Sequence, residues 1–248
     1  MKAIITDLDR TLLHTDKSVS EHTIAVLKKC HDHGILIMAA SARPIRDILI
    51  YNNLIGFDAI TATNGAVVSL PQNLLEIGIS CESGEKILSA ILQYPDVFLS
   101  IETSKGLYSN RDIPVWEPVI WDKFPTLPEN IILYKILASS QQKPLYEGIE
   151  TTLTDDVYHT IANNDLIQIM SNEATKWNGI KQMLSHFGVS PSAAVYFGDD
   201  NDDIKPIKNC GLGVAVSNAI PSVLDVADRV IDSNDMDGVA KFIEENLL

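Results

Sequence analysis

Cysteine is scarce in this chain: three residues in 248, far apart at Cys30, Cys81 and Cys210. With no C-x-x-C pair, neither a thiolate zinc site nor a disulfide framework is expected, and all three are read as small buried hydrophobes. Histidine is sparse too. Of six, only His31 and His33 are close, and two residues apart on a helix they do not face each other, so a histidine metal centre is not expected. Basic residues number 19 against 33 acidic ones, for a net charge of −14, and they are scattered. That argues against a nucleic-acid partner, since phosphate backbones are bound by clustered Lys and Arg that release counterions. No apolar run reaches the length of a membrane span, and the N-terminus enters a strand without a signal-peptide pattern. A soluble cytoplasmic protein with no membrane partner is expected. Internal repeats, low-complexity tracts and heptads are also missing.

What is present is a core-forming composition, 46% hydrophobic, enough for one large or two modest domains. Ala3-Ile4-Ile5 reads as a short buried strand of a parallel sheet, and Asp7-Leu8-Asp9-Arg10-Thr11 follows at its carboxyl end. Ligands of open α/β sheets bind outside the carboxyl ends of the strands, so two acids there stand where chemistry happens. On an extended backbone residues two apart share a face. Asp7 and Asp9 are therefore expected to converge on one point, with a repulsion that a hard divalent cation removes.

Further along, Ser20 suits the N-cap of a helix that ends at Gly34. Residues 35–40 read as a second strand, ending at Ser41-Ala42-Arg43-Pro44. Pro44 opens a helix with Ile45, Ile48, Leu49 and Leu54 on its apolar face. Residues 58–62 give a third strand, and Asn64-Gly65 a turn before Ala66-Val67-Val68. This β-α-β-α-β order predicts a doubly wound, mostly parallel sheet.

From about Leu74 to Met170 the rhythm changes. Apolar and polar residues alternate in 99–103, 134–138 and 157–161, the pattern of strands with one wet face, and helical patterns at 85–92 and 145–153 lie between them. The expectation is an α/β protein whose Rossmann-like core, residues 1–80 and 172–248, carries an inserted α+β domain at 81–171. Trp116, Trp121 and Trp177 are read as packing residues. After Met170 the first rhythm resumes, with a helix at 177–187, strands at 193–197, 213–216 and 229–231, and a closing helix. The strand at 193–197 runs into Gly198-Asp199-Asp200-Asn201-Asp202-Asp203.

Strand ends and helix starts of one sheet thus present Asp7, Asp9, Ser41, Lys176, Asp199 and Asp203. Carboxylates from two strand ends plus a main-chain carbonyl suit an octahedral magnesium ion, and a phosphate monoester completes such a set. The ion would neutralise phosphoryl oxygens while Lys176 and the Ser41 hydroxyl hold the others. One carboxylate then attacks phosphorus, forming an aspartyl-phosphate; the other protonates the leaving oxygen and later takes a proton from water.

The ordered motifs resemble the haloacid dehalogenase superfamily of phosphatases, in its Cof-type branch with an α/β cap, over the whole chain. They are D-x-D-x-T at Asp7, Asp9 and Thr11, Ser41 followed by Arg43, Lys176, and the acidic run from Gly198 to Asp203. Gly211-Leu212-Gly213-Val214-Ala215 with Asn218-Ala219, and Asp237-Gly238-Val239-Ala240, resemble the branch's C-terminal pattern. The resemblance implies a cap between the second and third motifs, Mg2+ as cofactor, and a small phosphorylated substrate, sugar phosphates first, over which the cap closes. It implies Asp7 as nucleophile, Asp9 as general acid/base and as a magnesium ligand through its carbonyl, Asp199 as a direct ligand, and Asp203 as an outer-sphere ligand or anchor for Lys176. Ser41 and Lys176 are then phosphate binders, with Asn64 and the loop-supporting Thr11 on the same side. Two positions depart from the branch: Arg10 stands where glycine is usual, and Asp202 where asparagine is common. Glu102, Tyr108, Trp116 and Lys135 are the candidates for setting specificity in the inserted domain. A phosphomutase shares this chemistry. A catalytically silent sugar-phosphate-binding or regulatory protein is the reading from another class, and retention of both Asp7 and Asp9 weighs against it. A dehalogenase has no need of Asp9.

Overall fold

A computed structural model describes residues 1–114, 116–140, 145–162 and 166–248. The chain divides into two compact units, Met1–Leu75 with Thr175–Leu248, and Glu76–Ala174.

The chain opens with β1 (Ala3–Thr6), buried along its whole length. Ser20 caps α1 (Glu21–Asp32) by accepting from the Thr23 N–H, and Val26, Leu27 and Cys30 form the buried face. β2 (Leu36–Ala40) leads to α2 (Ile45–Ile55), which starts after Pro44 and buries Ile48, Tyr51 and Ile55. Leu49 and Leu54, expected on that face, are exposed: the buried stripe runs through 48, 51 and 55 at helical spacing, and they lie off it. β3 (Ala59–Ala62) turns back into the antiparallel β4 (Val67–Leu70), followed by β5 (Asn73–Glu76).

The inserted unit begins with α3 (Cys81–Ile91), capped by Ser80. Next come β6 (Phe98–Thr103), β7 (Gly106–Ser109), β8 (Val119–Ile120), β9 (Leu133–Ser139), α4 (Tyr146–Ile149), β10 (Val157–Ala162) and β11 (Leu166–Ser171). Their sheet has the order β10-β11-β9-β6-β7-β8 and packs Leu99, Ile101, Ile136, Ile167 and Ile169 against Ile87, Leu88 and Ile91 of α3. Strands β7, β8 and β11 were not among those expected. One wet face was expected on these strands, but Ser100, Glu102 and Lys135 are buried. Alternation reports polarity, and a polar side chain tolerates burial when bonded. Ser100 Oγ donates to the Tyr108 carbonyl and Lys135 Nζ to Gln168 Oε1. Trp116 stays exposed beside Phe98, whereas Trp177 is buried. Cys81 is exposed at the first position of α3, so only Cys30 is a fully buried thiol; Cys210 lies between.

The chain then returns to the first unit through α5 (Lys176–His186), β12 (Ala194–Gly198), α6 (Ile204–Asn209), β13 (Leu212–Val216), α7 (Pro221–Leu224), β14 (Arg229–Ile231) and α8 (Gly238–Asn246). The sheet order is β14-β13-β12-β1-β2-β3-β4-β5, and β1 pairs in parallel with both β2 and β12. Strand order reverses at β1, the topological switch point where such sheets bind ligands. Among the described residues no helix is long and apolar enough to cross a membrane.

Candidate active site

The ladder between β1 and β12 continues one residue past the strand, where the Asp7 N–H donates to the Phe197 carbonyl at 2.9 Å. This fixes Asp7 at the carboxyl end of the central strand, buried, with its Oδ1 accepting from Lys176 Nζ at 2.8 Å. Lys176 is the first residue of α5, whose N-cap Thr175 accepts from the Asn178 N–H. A cation at a helix N-terminus opposes the helix dipole, and here three carboxylates answer it. Its ammonium lies 2.8 Å from Asp7 Oδ1, 2.6 Å from Asp203 Oδ1 and 3.1 Å from Asp202 Oδ1. Gly65 seats this helix start: with φ at +104°, it packs where an added Cβ would lie 2.1 Å from the Thr175 carbonyl oxygen.

Asp203 accepts from four donors. Lys176 Nζ and the Tyr196 hydroxyl reach its Oδ1, each at 2.6 Å, and the N–H groups of Asp199 and Asp200 reach its Oδ2 at 2.8 and 3.0 Å. That fills the roughly four lone-pair positions of a carboxylate. Asp200 is a capping residue of the turn at Asn201–Asp203. Gly198 makes room for this turn, since a Cβ there would meet Asp203 Cβ at 2.5 Å.

Asp199 follows β12 directly, beside Asp7. Its Oδ1 accepts from Thr11 Oγ1 at 2.8 Å, and Arg10 Nε lies 3.7 Å from its Oδ2. Thr11 was expected on the phosphate side as well as supporting the loop. Its single O–H is given to Asp199, which leaves the supporting role. Arg10 occupies a left-handed conformation, φ 61°, the kind of position glycine ordinarily takes. Its Nη2 donates to the Asn218 carbonyl at 3.0 Å, and Asn218 Nδ2 donates back to the Arg10 carbonyl at 2.8 Å.

Among the described residues, Asp7, Asp199 and Asp203 form a group whose ligand oxygens lie within 4.8 Å of one another. Asp9 is not in it. Its carboxylate is gripped by Arg43, with Nε to Oδ2 at 2.6 Å and Nη2 to Oδ1 at 2.7 Å, and by Lys17 Nζ on Oδ1 at 2.7 Å. Arg43 also lies over the Tyr51 ring, 5.4 Å from its centroid, and the Tyr51 hydroxyl donates to the Lys17 carbonyl. The expected convergence of Asp7 and Asp9 fails because β1 ends at Thr6: the chain turns at Leu8, whose carbonyl accepts from the N–H groups of Leu12 and Leu13, and the period of two no longer applies. Lys17 and Tyr51 carry no motif, and nothing in the sequence singles them out.

Ser41 is buried at the end of β2, and its Oγ accepts from the Arg43 N–H. The Asn64 N–H donates to the Ser41 carbonyl at 3.1 Å, tying the loops after β2 and β3 together. Asn64, held at φ 55°, donates through Nδ2 to Asp202 Oδ2 at 3.0 Å.

The electrostatics follow from this crowding. Burial, joined by the carboxylates of Asp203, Asp199 and Asp202, pushes Asp7 well above the ordinary carboxyl range against the pull of Lys176. Burial and Asp203 push Asp199 up to about 6. Burial works against the Lys176 ammonium, but Asp202, Asp203 and Asp7 more than reverse this and hold its pKa well above the usual lysine value. Burial would also raise Asp9, yet the hydrogen bonds from Arg43 and Lys17 bring it down to about 2. Two carboxyls two residues apart in sequence are thus driven in opposite directions, the arrangement found where paired acids divide their roles.

A family model described as haloacid dehalogenase-like hydrolase matches residues 4–243. The chain is 29% identical over 270 residues to YxeH of Bacillus subtilis (strain 168), covering 100% of this chain and 98% of that protein. It is 25% identical over 262 residues to the 5-amino-6-(5-phospho-D-ribitylamino)uracil phosphatase YitU of the same organism, covering 98% and 96%. Among solved structures, TM0651 from Thermotoga maritima superposes with a TM-score of 0.88 at 22% identity, covering 100% of this chain and 98% of that one. With the strand-end acids, the buried lysine and the doubly wound sheet in view, the chain belongs to the haloacid dehalogenase-like hydrolases.

Proposed function

We propose that this hydrolase is a magnesium-dependent phosphatase that cleaves a small phosphorylated metabolite through an aspartyl-phosphate on Asp7. The observation that carries the reading is the buried Asp7 carboxylate at the switch point, paired with Lys176 and crowded by Asp199, while Asp9 is held apart as an anion by Arg43 and Lys17. Unit Met1–Leu75 with Thr175–Leu248 is the catalytic core in this reading, and Glu76–Ala174 the cap.

The acids fit a magnesium ion. Their oxygens are hard donors, and the upward push on Asp7 and Asp199 is a surplus of negative charge that a divalent cation relieves. Asp7, Asp199 and the Asp9 carbonyl would hold it; Asp203, already accepting from four donors, serves as the anchor of Lys176 and of the turn. When bound, the ion supplies charge neutralisation to the phosphoryl oxygens. The residues do the rest. Lys176 and Ser41 hold the phosphoryl group, with Asn64 beside them. Asp9 takes up a proton from solvent or from a substrate monoanion as the substrate enters; an Asp7 oxygen then attacks phosphorus, the ester P–O bond breaks, and the Asp9 carboxyl gives that proton to the departing oxygen. The Asp9 carboxylate then takes a proton from water as that water attacks phosphorus, the bond to Asp7 breaks and inorganic phosphate leaves. The ion pair with Arg43 and Lys17 is the resting partner set of the anionic form.

Relatives named for substrates as different as 5-amino-6-(5-phospho-D-ribitylamino)uracil and phosphoglycolate support phosphate-ester chemistry more than any one substrate. Sugar phosphates head the panel to test. The experiment is release of inorganic phosphate from phosphorylated metabolites, with and without magnesium, for wild type beside Asp7→Asn. Magnesium-dependent release is expected, lost in the variant by more than about a thousandfold with the fold intact. Wild-type turnover in Asp7→Asn would overturn the covalent mechanism.

A further inference from the structure

We infer that the Asp202 carboxylate is a resident anion in the phosphate subsite, which the incoming phosphoryl group must displace from Lys176 and Asn64. The inference rests on the reading above, that these two residues and Ser41 face the phosphoryl group. Its basis is a count of protons. A lysine ammonium has three donors, and here three carboxylates surround it: Asp7 Oδ1, Asp203 Oδ1 and Asp202 Oδ1. A phosphoryl oxygen can therefore bind Lys176 only where one of the three yields. Asp203 is fixed by Tyr196 and two backbone N–H groups besides. Asp7 is the group that must stay to attack. Asp202 has the longest contact, 3.1 Å, and the most exposed side chain, 29% against 8% for Asp7 and 0% for Asp203. Its other oxygen accepts from Asn64 Nδ2, so a single carboxylate lies across both donors.

Asp202 thus presents to Lys176 and Asn64 what a phosphate would present: two oxygens and a negative charge. Displacing it returns both donors to the substrate but leaves a displaced anion beside the phosphoryl dianion. Substrate and product phosphate are both weakened, which favours release of product after each turnover. An asparagine keeps the shape, removes the charge and adds two N–H donors, so it should turn a competitor into a ligand.

The test is calorimetric titration of inorganic phosphate into the full chain in magnesium-containing buffer, comparing wild type, Asp202→Asn, Asp202→Ala and Ser41→Ala, with melting temperatures recorded for each. Removing one charge at hydrogen-bond distance from the subsite is expected to tighten phosphate by at least about tenfold in both Asp202 variants. KM and the inhibition constant for phosphate should fall together, and Ser41→Ala should weaken binding. If the Asp202 variants bind phosphate no more tightly than wild type while Ser41→Ala weakens it, Asp202 is structural support and the inference falls alone. If phosphate binds none of the four proteins, or Ser41→Ala leaves it unchanged, the phosphate placement proposed above is wrong, and this inference fails with it.

Discussion

Replacing Lys176 with methionine tests the electrostatic design of the site more directly than any change to its acids. The ammonium is buried, with 3% of its side chain exposed, and touches three carboxylates at 2.6 to 3.1 Å. Methionine fills similar volume without the charge, so three acids would face one another uncompensated. Removing one partner from a buried ionic group costs about 3–5 kcal/mol. For domains of this size each kcal/mol moves the melting temperature by roughly 2–4 °C, so the core transition should fall by roughly 6–20 °C. The pH dependence follows from linkage. Asp7 and Asp202 already sit above the ordinary carboxyl range, and losing Lys176 pushes them further. Carboxyls whose folded pKa exceeds the unfolded value hold protons in the folded state; their stabilising effect is present at low pH and lost as pH rises through the folded value. The deficit should therefore be largest near about pH 8 and shrink toward about pH 5. Adding Asp202→Asn to the variant should recover part of the loss, because the two sites are coupled. Scanning calorimetry of wild type, the single variant and the double variant across pH measures all of this. A fall under about 2 °C, or a deficit that does not change with pH, would refute the argument.

Asp9→Asn should lower steady-state phosphate release by about 10²–10⁴-fold, the range for loss of a general acid/base; undiminished turnover would remove Asp9 from the mechanism. Magnesium should raise the melting temperature by mass action, and its affinity should drop as pH falls through about 6, where Asp199 takes up a proton; thermal titrations on either side of that pH check both, and a midpoint indifferent to magnesium would refute the metal site. Arg43→Ala removes the main restraint holding Asp9 at about 2, so the Asp9 carboxyl should rise toward the ordinary range, stay protonated to higher pH, and carry the alkaline limb of the pH–rate profile for ester cleavage upward with it. The Arg43–Asp9 pair also stabilises the folded state above the ordinary carboxyl range, an effect lost as pH falls through about 2, and acid-unfolding curves of the variant should lack it.

Continuous apolar runs made β1, β2 and β12 readable as buried parallel strands, and with them the acids at their carboxyl ends, because a strand buried on both faces leaves little choice of residue. Lys176 was legible only as part of an ordered set of motifs; nothing local distinguishes it from a surface lysine at a helix start. Asp9 marks where the reasoning stops. Its spacing from Asp7 predicts a shared face only while the backbone stays extended, and the turn at Leu8 sends it to Arg43 and Lys17 instead. The partners of Arg10 and Thr11 lie some two hundred residues away at Asn218 and Asp199, a distance no local pattern spans. In the inserted unit, alternation located β6, β9 and β10, but it misjudged exposure, since hydrogen bonds let Ser100 and Lys135 be buried.

The pairing of Ala3 with Ala194 sets a timetable for synthesis. The strand bearing Asp7 is made long before one of its two neighbours, which is translated about 190 residues later. At roughly 5–20 residues per second that is a wait of about 10–40 s. Through this interval one edge of β1 stays open, while the inserted unit, a single continuous segment ending at Ala174, is complete shortly before β12 begins at Ala194. Lys176, Asp199 and Asp203 all arrive in the last third of the chain. A nascent polypeptide halted before them carries the two leading acids without the residues that charge, anchor and neutralise them, so hydrolysis begins only once β12 and the acidic turn after it have been made.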